Sequence, residues 1–341
     1  AMAAAAEAIK DSGLKMEEED PYMVGVVIGS GIGGIESTLD QAKLSWDKGY
    51  KFISPLLIPI MLTDSASGRV AMEYGMRGPN MSISTACATG NNSIGEATEM
   101  IRRGAAEVML TGSTEAGLVP LALASFNNMT AISRRNDDPA TASRPFDKGR
   151  DGFVVSEGAA VLVIEALEHA LRRGAHIYAE ILGYGNTDDA FHVTAPMENG
   201  EAASMAMKLA LKNAGIQPED IHYINAHGTS TQLNDASETK AIKRVWGEKA
   251  YDVPISSTKS VTGHLMGGAG SVEAVLCVKA IEDQFVPPTA TLFDPDPDCD
   301  LNYTPIKGVP HKIDKVMSNS FGFGGHNAVL IIGAYHNGTN G

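Results

Sequence analysis

Five short apolar runs constrain the fold of this chain more than any other feature of it. They are Val24 to Gly29, Glu107 to Gly112, Ala160 to Ile164, Tyr223 to Asn225 and Ala328 to Ile331. A strand with one face in water alternates apolar and polar residues, whereas an unbroken apolar run has to be covered on both faces. The stretches between the runs supply that cover. Ala1 to Ile9 opens the chain inside a helix, and Ala202 to Asn213 and Ser237 to Val245 carry helical spacing. Gly215 and then Pro218 stop the second of these helices in the order that C-termini favour. Strand–helix alternation of this kind predicts an α/β fold with mainly parallel pairing. A weak internal echo points to two similar halves, each with a strand, a polar turn, a Gly-rich helix start and a further strand. The expected divide lies near Ile177, giving segments 1–177 and 178–341, with the loop-rich stretch from Leu118 to Gly152 as a cap over the site.

Chemically active side chains sit at the turns. In Met81-Ser82-Ile83-Ser84-Thr85-Ala86-Cys87-Ala88-Thr89-Gly90 a strand is expected to run straight into a helix with Cys87 at the junction. Backbone N–H groups and the positive end of the helix dipole stabilise thiolate there. Ile94, Ala97, Met100 and Ile101 share one face of that helix, and Arg102, Arg103 and Gly104 close it. A buried, inert cysteine explains the segment equally well on its own. His227, in Ala226-His227-Gly228-Thr229-Ser230-Thr231, and His264, in Thr262-Gly263-His264-Leu265-Met266-Gly267-Gly268, tip that balance. Both lie at element ends beside glycine, where α/β folds gather their sites. A fourth segment, Asn319-Ser320-Phe321-Gly322-Phe323-Gly324-Gly325-His326-Asn327, is dense enough in glycine to bring backbone N–H groups close to a substrate.

In this order, and over nearly the whole chain, the four segments resemble the β-ketoacyl-acyl carrier protein synthases, most closely the elongating condensing enzymes of fatty acid synthesis. Ser143-Arg144-Pro145-Phe146-Asp147, Arg150-Asp151-Gly152-Phe153-Val154 and Asp189-Ala190-Phe191-His192 share the likeness. The resemblance implies a thiolase-like fold of two duplicated α/β halves in five layers. It also implies that an N-terminal part of the first half, including an inner strand, is missing from this sequence.

A reaction follows from the same likeness. Cys87 takes an acyl chain from a carrier-protein thioester; a malonyl-carrier thioester then loses carbon dioxide, and its carbanion attacks the acyl-cysteine. A lowered thiol pKa serves the first step, and donors aimed at the malonyl thioester oxygen, the role that fits His227 and His264, serve the second. The resemblance implies that the backbone N–H groups of Cys87 and Phe323 form an oxyanion hole. It implies that Lys259, paired with Glu238, keeps the histidines' electrostatics in order. Thr229 and Thr231 match positions that bond the phosphopantetheine arm, and Ile32, Leu57, Phe126 and Phe323 match positions that line or gate an acyl tunnel. Taken singly, these are a surface lysine, turn-capping hydroxyls and core apolar residues. Acyl carrier protein as partner, a homodimer with the strand before Cys87 at its interface, and no cofactor beyond the carrier's phosphopantetheine are implied as well.

Two rivals remain open: a polyketide-type ketosynthase, and a non-catalytic partner resembling chain-length factors. The intact Cys87, His227 and His264 speak against the second. A degradative thiolase needs another catalytic cysteine, and neither Cys277 in its apolar run nor Cys299 among aspartates is placed for that.

Composition agrees with an enzyme that has a large core: 43% of the 341 residues are hydrophobic and 20% charged. No run of 18 apolar residues is present, so no membrane span is expected. Three cysteines make no disulfide framework and suit a reducing, cytoplasmic setting. A plastid origin stays open, since a targeting peptide would belong to the N-terminal part that the resemblance implies is missing from this sequence. The net charge of -14 argues against nucleic acid and leaves docking of an acidic carrier to a local basic patch. Lys51, Arg69, Arg134 and Arg135 are candidates, while Thr130 stands where the family has a docking arginine. Gly29-Ser30-Gly31-Ile32-Gly33-Gly34 satisfies a dinucleotide fingerprint, but the acidic strand end expected about 20 residues later is replaced by Phe52 to Pro59 with two prolines. Nucleotide binding is therefore not expected, nor is zinc, because no Cys/His pair has ligand spacing.

Overall fold

A computed structural model describes residues 1–336. Its strands in chain order are β1 (Val24–Gly29), β2 (Asn80–Met81), β3 (Val108–Glu115), β4 (Gly158–Glu165), β5 (Glu180–Asp188), β6 (Tyr223–Asn225), β7 (Ile255–Ser256), β8 (Phe285–Val286), β9 (Val309–Pro310), β10 (Lys315–Gly322) and β11 (His326–Gly333). The helices are α1 (Met2–Ser12), α2 (Ile35–Lys48), α3 (Leu57–Met61), α4 (Ser65–Tyr74), α5 (Thr89–Arg102), α6 (Pro120–Asn128), α7 (Leu167–Arg172), α8 (Glu201–Ala214), α9 (Gln232–Trp246), α10 (Lys259–Thr262) and α11 (Ala269–Asp283).

Two compact units emerge, and they are not consecutive in the chain. One contains Ala1–Ser125, Ser156–Ala175 and Leu265–Ser271; the other contains Phe126–Val155, His176–His264 and the chain from Val272 onward. A single cut near Ile177 thus describes chain order and not packing. The stretch 126–155 belongs to the second unit because its buried Arg150 and the N–H of Phe146 bond residues of the 231–235 segment.

The first unit holds a four-stranded sheet in the order β2-β1-β3-β4. Alternate residues of β1 enter two different cores, as an apolar run requires. Val24, Val26 and Ile28 pack with Ala5 of α1 and Val70 of α4. Val27 packs with Ala97 and Met100 of α5. The second unit holds a five-stranded sheet, β5-β11-β10-β6-β7. Ala206, Met207 and Ala210 of α8 and Ile242 of α9 cover Ile224, Met317, Val329 and Ile331 on one face of it.

Pairing is mixed, which corrects the expectation of mainly parallel strands. β1 runs parallel to β2 and β3, and β6 parallel to β7 and β10. β3–β4, β10–β11 and β5–β11 are antiparallel. A chain that turns back within the short Phe323–Gly325 segment can only form a hairpin, because a parallel return needs a crossover of a dozen residues or more. The strand before Cys87 is shorter than expected: β2 stops at Met81, and residues 82–85 are irregular. The expected cap from Leu118 to Gly152 carries α6 and a 3-10 turn at Pro139–Thr141 within otherwise irregular chain.

Candidate active site

β6 ends one residue before Ala226, and the chain then makes the turn that bears His227. Gly228 sits at φ +34°, and a β-carbon there would come within 2.6 Å of Ser257 Cβ, so only glycine fits this position. The close approach lets two consecutive backbone groups share one carboxylate. His227 N–H donates to Glu238 Oε1 at 2.9 Å, and Gly228 N–H to Oε2 at 2.8 Å. Asn319 on β10 adds its side-chain amide at 3.0 Å. Burial pushes Glu238 up to about 7 even though those three donors pull the other way.

His264 follows α10 and donates its backbone N–H to Val154 O at 2.7 Å. The two imidazoles meet edge to face, with centroids 5.4 Å apart at 84°. Phe153 stands edge-on to His264 at 5.4 Å, and Phe126 edge-on to Phe153 at 5.5 Å, which brings Phe126 into the same aromatic row. Phe321 closes on His227 from the β10 side at 5.6 Å. Burial holds both histidines well below the usual imidazole range, with the Lys259 ammonium adding to the effect on each and His264 adding to it on His227. Both rings are therefore neutral at physiological pH.

Lys259 is buried, with its side chain 1% exposed. Its ammonium bonds Glu273 on α11, and it lies 3.5 Å from His227 Nδ1. Pairing of Lys259 with Glu238 is thus corrected. Glu238 is committed to the backbone of the His227 turn, and Glu273 carries the countercharge. An ammonium only donates, so the contact with His227 is a hydrogen bond only when Nδ1 bears the lone pair. That tautomer leaves the proton on Nε2.

The other residues of interest in this unit lie at the ends of the same elements. Thr229 and Thr231 place their hydroxyl oxygens 2.9 Å apart. Thr231 also caps α9 by accepting the N–H of Asn234. Phe323 is half-buried in the β10–β11 turn, followed by Gly324 and Gly325 at φ near +90° (89° and 88°). Arg134 and Arg135 lie on irregular chain, Arg135 bonding Gly149 O at 3.0 Å.

In the first unit Cys87 lies in a 3-10 turn, Ala86–Ala88, that runs into α5. The thiol-bearing residue is 7% exposed. Ala86 has φ +48°, a conformation that costs an L-residue about 1–3 kcal/mol unless the surroundings impose it. Gly90 is held against the 270–271 backbone so closely that a β-carbon would lie 2.4 Å from Ser271 N. Ile32 is half-buried on the turn after β1, Leu57 begins α3, and Lys51 and Arg69 are exposed. The fingerprint-like glycine turn has an internal anion. Ser30 Oγ and the N–H groups of Gly31 and Ile32 donate to the Glu115 carboxylate at 2.8 to 3.2 Å, and Gly267 N–H joins them at 3.1 Å.

Sequence reasoning missed Glu273 and Glu115. Glu273 had a readable signal, a lone carboxylate within the apolar run from Ala269 to Ala280 that has to be answered by a buried cation. Cys277 and Cys299 are buried thiols, and desolvation pushes both up, Cys299 to about 12, as expected of inert cysteines.

Comparison with known proteins places this geometry in a family. The model of the beta-ketoacyl synthase N-terminal domain matches residues 1–170, and that of the C-terminal domain residues 178–292. The chain belongs to the beta-ketoacyl synthase family. Among relatives of this synthase, the 3-oxoacyl-[acyl-carrier-protein] synthase 2 of Synechocystis sp. is 50% identical over 335 residues, 98% of this chain and 80% of that one. Its counterpart from Staphylococcus aureus is 51% identical over 331 residues, 97% and 82% of the two chains. A type II PKS ketosynthase, solved with its acyl-carrier protein and bound to the hexaketide, superposes with a TM-score of 0.95 at 39% identity, covering 98% of this chain and 84% of that one. A beta-ketoacyl synthase from Burkholderia phymatum gives 0.90 at 36% identity, covering 98% and 81%. The fold is thus the thiolase-like α/β fold of ketosynthases.

Proposed function

We propose that this chain is a 3-oxoacyl-acyl carrier protein synthase of fatty acid elongation, an acyltransferase that joins an acyl-enzyme to malonyl-acyl carrier protein with loss of carbon dioxide. The observation that carries the reading is the pair of buried, neutral imidazoles backed by the Lys259–Glu273 ion pair. Cys87 attacks the acyl thioester, the new C–S bond replacing the carrier's, and the carrier leaves as its thiol. The malonyl carboxylate departs as carbon dioxide, and the electron pair of the broken C–C bond moves onto the thioester oxygen as an enolate. His227 donates from Nε2 to that oxygen, with His264 as the second donor, so stabilisation appears where charge develops. The enolate carbon then attacks the acyl-Cys87 carbonyl. The backbone N–H groups of Cys87 and Phe323 receive the resulting oxyanion, and collapse returns the thiolate.

The same reading gives Thr229 and Thr231 to the phosphopantetheine arm and Ile32, Leu57, Phe126 and Phe323 to the acyl tunnel. It takes acyl carrier protein as partner and assigns no cofactor to the protein itself. Exposed Trp46, Tyr50, Ile58 and Met72, together with β2 as the edge of its sheet, support a homodimer. No helix among the described residues is long and apolar enough to cross a membrane, which is compatible with a cytoplasmic enzyme.

Cys87→Ala tests the reading. It should abolish transfer of a radiolabelled acyl group to the protein while malonyl decarboxylation stays measurable. His264→Ala should show the reverse, acylation of Cys87 with decarboxylation suppressed. Condensation retained in Cys87→Ala refutes the nucleophile, and products built by repeated condensation without reduction favour a polyketide ketosynthase.

A further inference from the structure

The Arg150 motif has no part in the chemistry above, yet its side chain is 1% exposed and its guanidinium makes four hydrogen bonds. Its Nε donates to Thr231 O at 3.1 Å, Nη1 to Asp147 O at 3.0 Å and Asp296 Oδ2 at 2.5 Å, and Nη2 to Gln232 O at 3.2 Å. Asp235, at 0% side-chain exposure, lies 3.6 Å from Nε. That carboxylate reaches the other end of the same turn: Oδ1 accepts Thr229 N–H at 3.0 Å, and Oδ2 accepts Phe146 N–H at 2.8 Å. Between the two anchors Ser230 is held at φ +71°, its hydroxyl accepting from Arg144 N–H and its carbonyl from Gly152 N–H. Two buried charges thus bracket a turn of three residues whose outer members are Thr229 and Thr231.

A buried ion pair contributes little net stability compared with apolar packing of the same volume. What a planar guanidinium supplies is geometry, because its N–H groups fix the carbonyls they meet in one plane. The fixed quantity here is the 2.9 Å spacing and direction of the two threonine hydroxyls. We propose that Arg150 and Asp235 are positioning residues for substrates carried on a phosphopantetheine arm, presetting Thr229 and Thr231 without touching the reacting thioester. The inference rests on the assignment of those threonines to the arm.

Malonyl decarboxylation is measured for the wild type, Arg150→Lys and Asp235→Asn with two substrates: malonyl-acyl carrier protein, and malonyl-N-acetylcysteamine, which lacks most of the arm. Arg150→Lys keeps the charge and loses the fork. Each variant should raise KM for the carrier substrate by about tenfold with kcat within about twofold, as expected for loss of one charge-assisted contact. The kcat/KM for the short thioester should not move. In a Thr229→Val/Thr231→Val background, Arg150→Lys should add no further loss. Equal losses on both substrates, no loss on either, or failure of both variants to fold overturns the proposal, since the clamp then holds the unit and not the arm. A wild type inert towards both substrates would instead sink the condensing-enzyme reading itself.

Discussion

Lys259→Met removes one member of an ion pair whose side chains are 1% and 2% exposed. Breaking a buried pair from one side costs about 3–5 kcal/mol, because the remaining charge is left in an apolar site. Desolvation already pushes Glu273 above the usual carboxylate range, with Lys259 acting against it. Without Lys259 the carboxyl should fold protonated. A folded pKa raised above the unfolded one means that the folded state holds the extra proton, so the stability of the variant should be greatest at low pH and fall as pH rises through the folded pKa. Lys259→Met/Glu273→Leu removes both charges and roughly conserves volume; such replacements are commonly neutral or stabilising, by about 1–4 kcal/mol. The double variant should therefore regain most of what the single one loses, and lose its pH dependence. Urea denaturation at pH 6 and pH 8 measures both effects. The double variant also separates folding from electrostatics. Its histidines no longer face an ammonium, so their pKa values should rise toward the usual imidazole range and the acid limb of the decarboxylation profile should move to higher pH. A single variant within about 1 kcal/mol of wild type, or a double variant no more stable than the single, refutes the energetic reasoning. An unmoved acid limb in a folded double variant refutes the electrostatic part.

Gly90→Ala should cost roughly 1–3 kcal/mol, because the added methyl meets Ser271 N at 2.4 Å and Gly270 Cα at 2.8 Å. A thermal melt checks the cost, and the rate of Cys87 alkylation by iodoacetamide checks whether the start of α5 shifts with it. Glu238 is raised to about 7, so the folded state holds its proton between the ordinary carboxyl range and neutrality, and this contribution to stability is present at low pH and lost as pH rises through 7. Glu238→Gln cannot titrate, and the stability gap between wild type and variant should shift in the variant's favour by about 3 kcal/mol from pH 4 to pH 8. A gap independent of pH rules that out.

What could be read from the sequence was whatever local pattern controls. β1 and β6 fall where unbroken apolar runs placed them, and α5 closes at Arg102 as its cations and glycine indicated. β5 and β10 went unread because Glu180–Asp188 and Lys315–Gly322 are interrupted by glycine and polar residues, and they are strands because β11 pairs with each of them. Cys87, His227 and His264 were visible as side chains at turns, whereas Lys259 stood out only through the family resemblance, and the identity of its partner was not visible. Glu238 was the partner the resemblance implied, and Glu273 went unread. Only tertiary packing decides that one accepts the N–H groups of the His227 turn while the other meets the ammonium. The Gly29 to Gly34 turn shows the same limit from the other side. Its N–H groups are arranged as for a phosphate, and the anion they bind is Glu115, 83 to 85 residues away in sequence.

The neutrality of the two histidines follows from a definite order of causes. Desolvation comes first and is the larger cause for both rings; Glu273 then makes a buried ammonium tolerable, and that ammonium, 3.5 Å from Nδ1, further opposes protonation of His227 and fixes its tautomer. In the proposed reaction this neutrality has a purpose that a stronger donor would defeat. An imidazolium beside malonate would bind the departing carboxylate as tightly as the forming enolate, and binding ground and transition states equally leaves the barrier where it was. A neutral N–H gains strength as charge moves onto the thioester oxygen and offers little to the carboxylate beforehand. Lys259 therefore acts best as a buried charge that never meets the substrate, its field spent on keeping the rings uncharged.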